Sequence, residues 1–185
     1  MDNDPTLPDF VAERARLSRA TRKGIGMPIA GMVYWIAVAS VLRSELPLDT
    51  AIVLCFALTG PVFPAGYAIT KALGGDLFAK STSLTPIGLQ LAALQLFYWP
   101  VILVVFYQVP EWTPFTLAVL FGSHFLPYGW MYESRGYPFL TVSLAVVMCA
   151  GVLVTGGPMF TLVPLLSAAC YAGAVGILWS EIRAY

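Results

Sequence analysis

Six long runs of apolar residues restrict what this chain can fold into. A helix needs about 20 such residues to cross the hydrocarbon core of a bilayer, which is roughly 30 Å thick, at a rise of about 1.5 Å per residue. The runs lack the alternation of a membrane β-strand, and segments with Pro, Gly and charged residues separate them. The sequence therefore predicts an all-α, polytopic integral membrane protein, a bundle of six transmembrane helices with proline kinks. The predicted spans cover residues 25–42, 48–70, 87–107, 113–132, 138–155 and 159–179.

The composition agrees with a membrane protein. Of the 185 residues, 58% are hydrophobic and only 11% are charged, whereas a soluble domain has about a quarter of its residues charged. Basic and acidic residues number 10 each, so the chain lacks the excess of positive charge that binding to nucleic acid requires. The expected partner is the lipid bilayer, and no nucleic acid is expected.

The basic residues are distributed unevenly about the predicted spans. With six crossings, nine of the 10 fall on one side of the membrane, and Arg43 alone falls on the other. The positive-inside rule then places both termini in the cytoplasm of a multi-pass protein of the plasma (inner) membrane. This pattern divides the chain into a basic N-terminal segment, residues 1–23, and a six-helix membrane domain, residues 24–182. The N-terminal segment forms either a short helix on the anionic inner leaflet or a frayed terminus that only sets the orientation.

His124, the only histidine, is the ionisable side chain that the sequence places deepest in a span. It lies eleven residues into the fourth span, about 17 Å below the outer boundary by helix rise. Its spacing puts His124, Pro127, Tyr128 and Met131 on one helix face, and Pro127 predicts a kink. The imidazole is interpreted as a packing residue held by a hydrogen bond between helices, as a group that contacts a ligand or relays a proton, or as a metal or haem ligand. Because one histidine has no second ligand nearby, we predict neither a metal site nor a cofactor.

The third span carries a second polar and aromatic face. Gln95, Tyr98 and Trp99 have i, i+3, i+4 spacing, followed by Pro100. A short loop joins the third and fourth spans, so the two helices should be antiparallel neighbours, with Gln95 and Trp99 at roughly the depth of His124. An amide in hydrocarbon must find a partner. The face predicts either an ordinary hydrogen bond between helices or one wall of an aromatic pocket.

The second and fourth spans contain similar segments. Residues 60–67 read GPVFPAGY and end at Tyr67, and residues 122–130 read GSHFLPYGW. Two proline-broken helices would then converge at a similar depth, where many transporters have their binding sites. The predicted ligand-binding residues are His124, Tyr128, Gln95, Trp99, Tyr98 and Tyr67.

Three functions fit these features. The first is a protein that binds, or passively passes, a small neutral or apolar molecule near the midplane. No carboxylate lies near the middle of a span to couple an ion, and no Walker motif is present to bind ATP. The second is an accessory or scaffolding subunit without catalysis. The third, which we favour least, is a membrane-embedded enzyme that modifies lipid, with His124 as general base and Tyr128 or Glu133 assisting.

The sixth span has a stripe of small residues at i+4 spacing, at Ala168, Ala172, Gly176 and Ser180. Small side chains let helix backbones approach closely in membranes. The stripe predicts either packing within the bundle or a homodimer through Ala172 and Gly176.

Overall fold

The computed structural model describes residues 10–80 and 84–184, and every regular element in these ranges is a helix. The α-helices are α1 (Phe10–Ala20), α2 (Gly26–Val41), α3 (Leu48–Ala57), α4 (Val62–Ala72), α5 (Leu84–Leu94), α6 (Trp99–Gln108), α7 (Thr113–Ser123), α8 (Leu126–Met131), α9 (Gly136–Thr155) and α10 (Val163–Arg183). Residues 1–9 of the predicted basic segment lie outside the described residues.

Several helices are long and apolar enough to cross a membrane. Among the described residues they are Arg22–Val41, Leu84–Gln108, Gly136–Thr155 and Val163–Arg183. The pair α3 and α4, bent by 41°, passes the same test when taken together as one broken span. The prediction of an all-helical chain with several membrane-length helices is confirmed.

Helix breaks fall beside prolines. Pro61 directly precedes α4, and Pro127 lies in the first turn of α8. A 3₁₀ turn at Gln95–Tyr98 separates α5 from α6, whose first turn contains Pro100. Proline has no N–H to donate, so it fits a first helical turn, where that group would have no partner in the helix. Residues 113–132 accordingly form two short helices, α7 and α8, that meet at His124.

The core lies around α2, which packs against α4 on one side and α10 on the other, while α9 contacts α10, α7 and α8. The approach of α2 to α4 is very close: a Cβ atom added at Gly26 would lie 2.2 Å from the carbonyl oxygen of Gly66. Helix α5 differs, because Leu84 is the sole buried residue among its described side chains. The interior of the bundle around α2 is therefore tightly packed, whereas α5 packs loosely against the other helices.

Helix α1 lies across one end of the bundle, which we call the α1 end. Leu17 and Ser18 are buried there, and Ser18 Oγ donates a hydrogen bond to the Tyr132 carbonyl at 2.6 Å. Of the two alternatives that the sequence left open, a short helix or a frayed terminus, residues 10–20 form a helix, and its contact with the inner leaflet stays a prediction. Phe10 and Val11, at the start of the helix, are exposed.

A left-handed turn connects α1 to α2. Arg22, Lys23 and Gly24 have φ angles of 51°, 52° and 63°, a conformation that costs non-glycine residues free energy. The turn directs Lys23 inward, where only 3% of the residue is exposed. Its Nζ donates hydrogen bonds to the carbonyl oxygens of Tyr132 (2.9 Å) and Glu133 (2.7 Å). An ammonium group is well placed there, because the carbonyls that end a helix carry partial negative charge.

Candidate ligand-binding cavity

A cavity of about 390 Å³ extends from the α1 end to the middle of the bundle. Its volume falls within the range of small-molecule sites, about 300–1,000 Å³. The walls are formed mainly by α2, α4, α5 and α8. Among the described residues that line it there is no Asp, Glu, Lys or Arg.

The break between α7 and α8 places His124 on the cavity wall, with 7% of the residue exposed. Its Nδ1 is within hydrogen-bonding distance of the Phe121 carbonyl oxygen. A carbonyl only accepts, so Nδ1 carries the proton. Its Nε2 then accepts a hydrogen bond from the side-chain amide nitrogen of Gln95. These two partners assign a neutral imidazole in the Nδ1–H tautomer.

Gln95 reaches His124 from the 3₁₀ turn between α5 and α6. Donating from Nε2 leaves its Oε1 as an acceptor, and no described residue donates a hydrogen bond to that oxygen. Gln95 also lines the cavity. Gln95 is half-buried, and a ligand in the cavity with a hydroxyl or N–H group would find a hydrogen-bond acceptor in this oxygen.

Trp99 and Tyr128 complete this part of the wall. The Trp99 ring packs edge-on against Phe56 (5.4 Å between centroids) and Phe121 (6.3 Å). The Tyr128 ring lies edge-on to His124 at 6.1 Å, and its hydroxyl donates to the Gly88 carbonyl at 3.3 Å. The structure thus brings four of the predicted residues together, namely Gln95, Trp99, His124 and Tyr128.

Tyr67 and Tyr98 do not line the cavity. Tyr98 is half-buried within the 3₁₀ turn. The Tyr67 ring packs against Phe78 at 5.1 Å, with Lys71 Nζ at 5.9 Å from its centroid. Phe78 itself lines the cavity, so the Phe78 ring separates Tyr67 from the cavity.

The sequence did not predict several other aromatic side chains of the wall. They include Tyr34 and Trp35 on α2, Tyr132 after α8, Tyr137 on α9 and Tyr171 on α10. Only Tyr132 had a local signal, since Phe125, Tyr128 and Tyr132 follow i, i+3, i+7 spacing. The Tyr128 and Tyr132 rings do stack at 5.9 Å. The others come from separate helices, and no short motif contains them.

The described residues that line this cavity are mostly aromatic or aliphatic and carry no formal charge. The described residues contain no group of three or more His, Cys, Asp or Glu side chains that could hold a metal ion. Both imidazole nitrogens of His124 are engaged by protein groups. Glu133 forms an ion pair with Arg14 at 3.1 Å and is not part of the wall. What remains is an uncharged aromatic space with a few polar atoms, an arrangement that suits recognition of a largely apolar molecule.

The small residues of α10 lie away from this cavity. Ala172 and Gly176 are exposed, and a Cβ atom added at Gly176 would meet no heavy atom within 4 Å. These two residues therefore face outward from the bundle and take no part in its internal packing.

Comparison with known proteins matches residues 10–181 to the model of a family described as a family of unknown function, DUF7010. No curated protein and no solved structure matches the chain.

Proposed function

The chain belongs to DUF7010, whose description assigns no activity, and we propose from the geometry of its site that it binds a small neutral or apolar molecule in the cavity beside His124. The observation that carries the proposal is the uncharged, aromatic-lined space of about 390 Å³. Next to it, the oxygen of Gln95 accepts no hydrogen bond from a described residue. A ligand that donates one hydrogen bond would satisfy that oxygen and bury its apolar surface against the rings.

We propose binding as the primary event, with passive passage as an extension of it. The lining runs from Leu17 at the α1 end to Trp99 and Phe121 near the middle of the bundle. Passage down a gradient would also require an opening toward the opposite end.

We propose six crossings of the plasma (inner) membrane, with both termini in the cytoplasm. The second crossing is α3 with α4, and the fourth is α7 with α8, each broken beside a proline. In support, this arrangement puts the α1 end and nine of the 10 basic residues on the cytoplasmic side.

The binding proposal can be tested with 4-bromobenzyl alcohol, a compact molecule with one hydroxyl donor. We expect saturable binding to the purified protein in nanodiscs, measured by equilibrium dialysis. Gln95→Leu should weaken binding by roughly threefold to tenfold, which corresponds to one hydrogen bond of about 0.5–1.5 kcal/mol. His124→Ala should also weaken it, because Gln95 loses the partner that orients its amide.

Gln90→Leu is the matched control, since Gln90 is exposed on α5 and does not line the cavity. It should bind the alcohol as the wild type does. Absence of saturable binding to the wild-type protein, or equal affinity in Gln95→Leu and the wild type, would overturn the proposal.

We also propose that α10 mediates a homodimer through Ala172 and Gly176, supported by the exposure of both residues. Two copies could approach closely along this face. Gly176→Leu should shift the protein to monomer in cross-linking and light-scattering measurements. Ala145→Leu, an exposed change on α9, should not, and an unchanged oligomeric state in Gly176→Leu would refute the interface.

A further inference from the structure

The cavity opens sideways, between α4 and α5. Phe63 of α4 and Phe78 of the following segment both line it, yet 51% and 57% of these residues are exposed. Ala92 on α5 is likewise both lining and exposed. Helix α4 packs on α2, whereas α5 contacts α8. The opening therefore lies on the apolar flank of the bundle, where lipid would be, and extends to the α1 end at Ala79.

The cavity extends along most of α5. Along α5 its lining residues are Leu84, Thr85, Gly88, Ala92 and Gln95. Leu84 to Gln95 spans about 16 Å by helix rise, close to half of the roughly 30 Å hydrocarbon thickness. The small side chains at Gly88 and Ala92, with Gly31 on α2, leave room between the walls. A volume of about 390 Å³ over that length suits a single alkyl chain better than a fused ring system.

Positive charge flanks the cavity at the α1 end. Thr21 and Ala79 line the cavity there, and the residues that follow them, Arg22 and Lys80, are exposed. Arg22 lies against residues 74 and 75, since its Nη2 is 3.7 Å from a Cβ atom added at Gly74. The acidic residue of this segment, Asp76, accepts a hydrogen bond from the Phe78 backbone N–H at 2.9 Å. Arg22 and Lys80 thus outnumber Asp76 at the α1 end of the cavity, which gives this end an excess of positive charge. No described residue that lines the interior is charged.

We infer that the cavity takes the chain of a single-chain anionic lipid whose carboxylate or phosphate head lies at Arg22 and Lys80. The chain enters beside Phe63 and Phe78, whose rings contact each other edge-on at 6.5 Å between centroids, and runs past Ala92 toward the middle of the bundle. This inference rests on the proposed function, because the apolar chain occupies the same uncharged cavity, and it adds a charged head group that stays outside the cavity. A fatty acid and a lysophospholipid share this chemistry, and their head groups distinguish them experimentally.

The test uses stearate that carries a nitroxide quencher either at the chain end or beside the carboxyl group. The reporters are Trp35 and Trp99, which both line the cavity, in a variant whose other tryptophans are changed to Phe (Trp112, Trp130 and Trp179). The chain-end label should quench these two tryptophans more strongly than the label near the carboxyl group, and unlabelled stearate should reverse the quenching. Equal quenching by the two labels, or none that unlabelled stearate reverses, would refute the inference.

Two matched pairs of variants locate the lipid. Ala92→Phe should abolish the reversible quenching because the ring fills the channel, whereas Ala93→Phe on the same helix, which is not a lining residue, should leave it intact. Arg22→Gln should weaken stearate binding by roughly fivefold, as expected for a partly exposed charge pair. Arg16→Gln, an exposed change on α1, should leave it unchanged. Quenching that survives Ala92→Phe would overturn the inference.

Competition then separates the sources of the head group. Stronger displacement by unlabelled stearate supports a fatty acid, and stronger displacement by stearoyl lysophosphatidylglycerol supports a lysophospholipid. Equal displacement by zwitterionic stearoyl lysophosphatidylcholine would refute the role of Arg22 and Lys80. If 4-bromobenzyl alcohol binds and stearate does not, this inference fails alone. If neither binds, the proposed function fails with it.

Discussion

Replacing Lys23 with methionine tests whether the buried ammonium group of Lys23 holds α1 and α2 to the end of α8. The buried ammonium donates to the carbonyl oxygens of Tyr132 at 2.9 Å and Glu133 at 2.7 Å. A hydrogen bond from a charged group contributes about 1.5–3 kcal/mol, and an acceptor left unpaired in the interior costs about 1–3 kcal/mol. Methionine keeps most of the side-chain volume but donates nothing, and it avoids the desolvation cost of the ammonium. The expected net loss is about 3 kcal/mol of unfolding free energy.

The measurement is a titration of the purified protein from bicelles into SDS, with unfolding followed by tryptophan fluorescence. Lys71→Met is the matched control, because Lys71 is exposed on α4, and it should change the unfolding free energy by less than about 0.5 kcal/mol. If Lys23→Met and Lys71→Met unfold at the same SDS fraction, the buried ammonium does not hold this end of the bundle together.

Two further predictions concern the packing and the surface. Gly26→Ala should lower the unfolding free energy by about 2 kcal/mol, because its Cβ atom would lie 2.2 Å from the Gly66 carbonyl oxygen and backbone atoms must move apart. Gly60→Ala, the same change at an exposed glycine where the added Cβ would come no closer than 3.5 Å to another atom, should change it by less than about 0.5 kcal/mol, and equal effects in the same SDS titration would contradict the close approach of α2 and α4. Glu133→Gln removes the 3.1 Å ion pair with Arg14, whose side chains are 23% and 31% exposed. The loss should stay below about 1 kcal/mol and shrink with added salt, and a larger, salt-independent loss would contradict a surface role.

The pairing of His124 with Gln95 shows how far sequence reasoning reaches toward the site. Antiparallel neighbouring spans predicted a common depth for the two residues, and the structure brings them into hydrogen-bonding contact across 29 positions of the chain. The same reasoning grouped Tyr98 with Gln95, yet Tyr98 does not line the cavity. Residues i and i+3 of the 3₁₀ turn at Gln95–Tyr98 share a face, so the turn geometry does not separate Tyr98 from Gln95, and local spacing alone does not decide which side chain reaches the cavity.

Lys23 illustrates the opposite case. In the sequence it is one of five basic residues before the first predicted span, where charge sets orientation. Its burial depends on a left-handed turn, on the carbonyl oxygens of Tyr132 and Glu133 and on the Glu181 carboxylate 3.7 Å away, all more than 100 positions away along the chain. No local pattern specifies a partner at that separation.

The helical class and the membrane-length segments of this protein follow from its sequence alone. Their physical reason is local: a bilayer of given thickness requires a given length of apolar helix, and backbone groups in hydrocarbon must bond within their own helix. The cavity, its sideways opening and the set of aromatic rings around it were decided only by the tertiary structure. They depend on how closely α2 approaches α4 and how loosely α5 packs, and helix–helix distances arise from side chains that meet from distant parts of the chain.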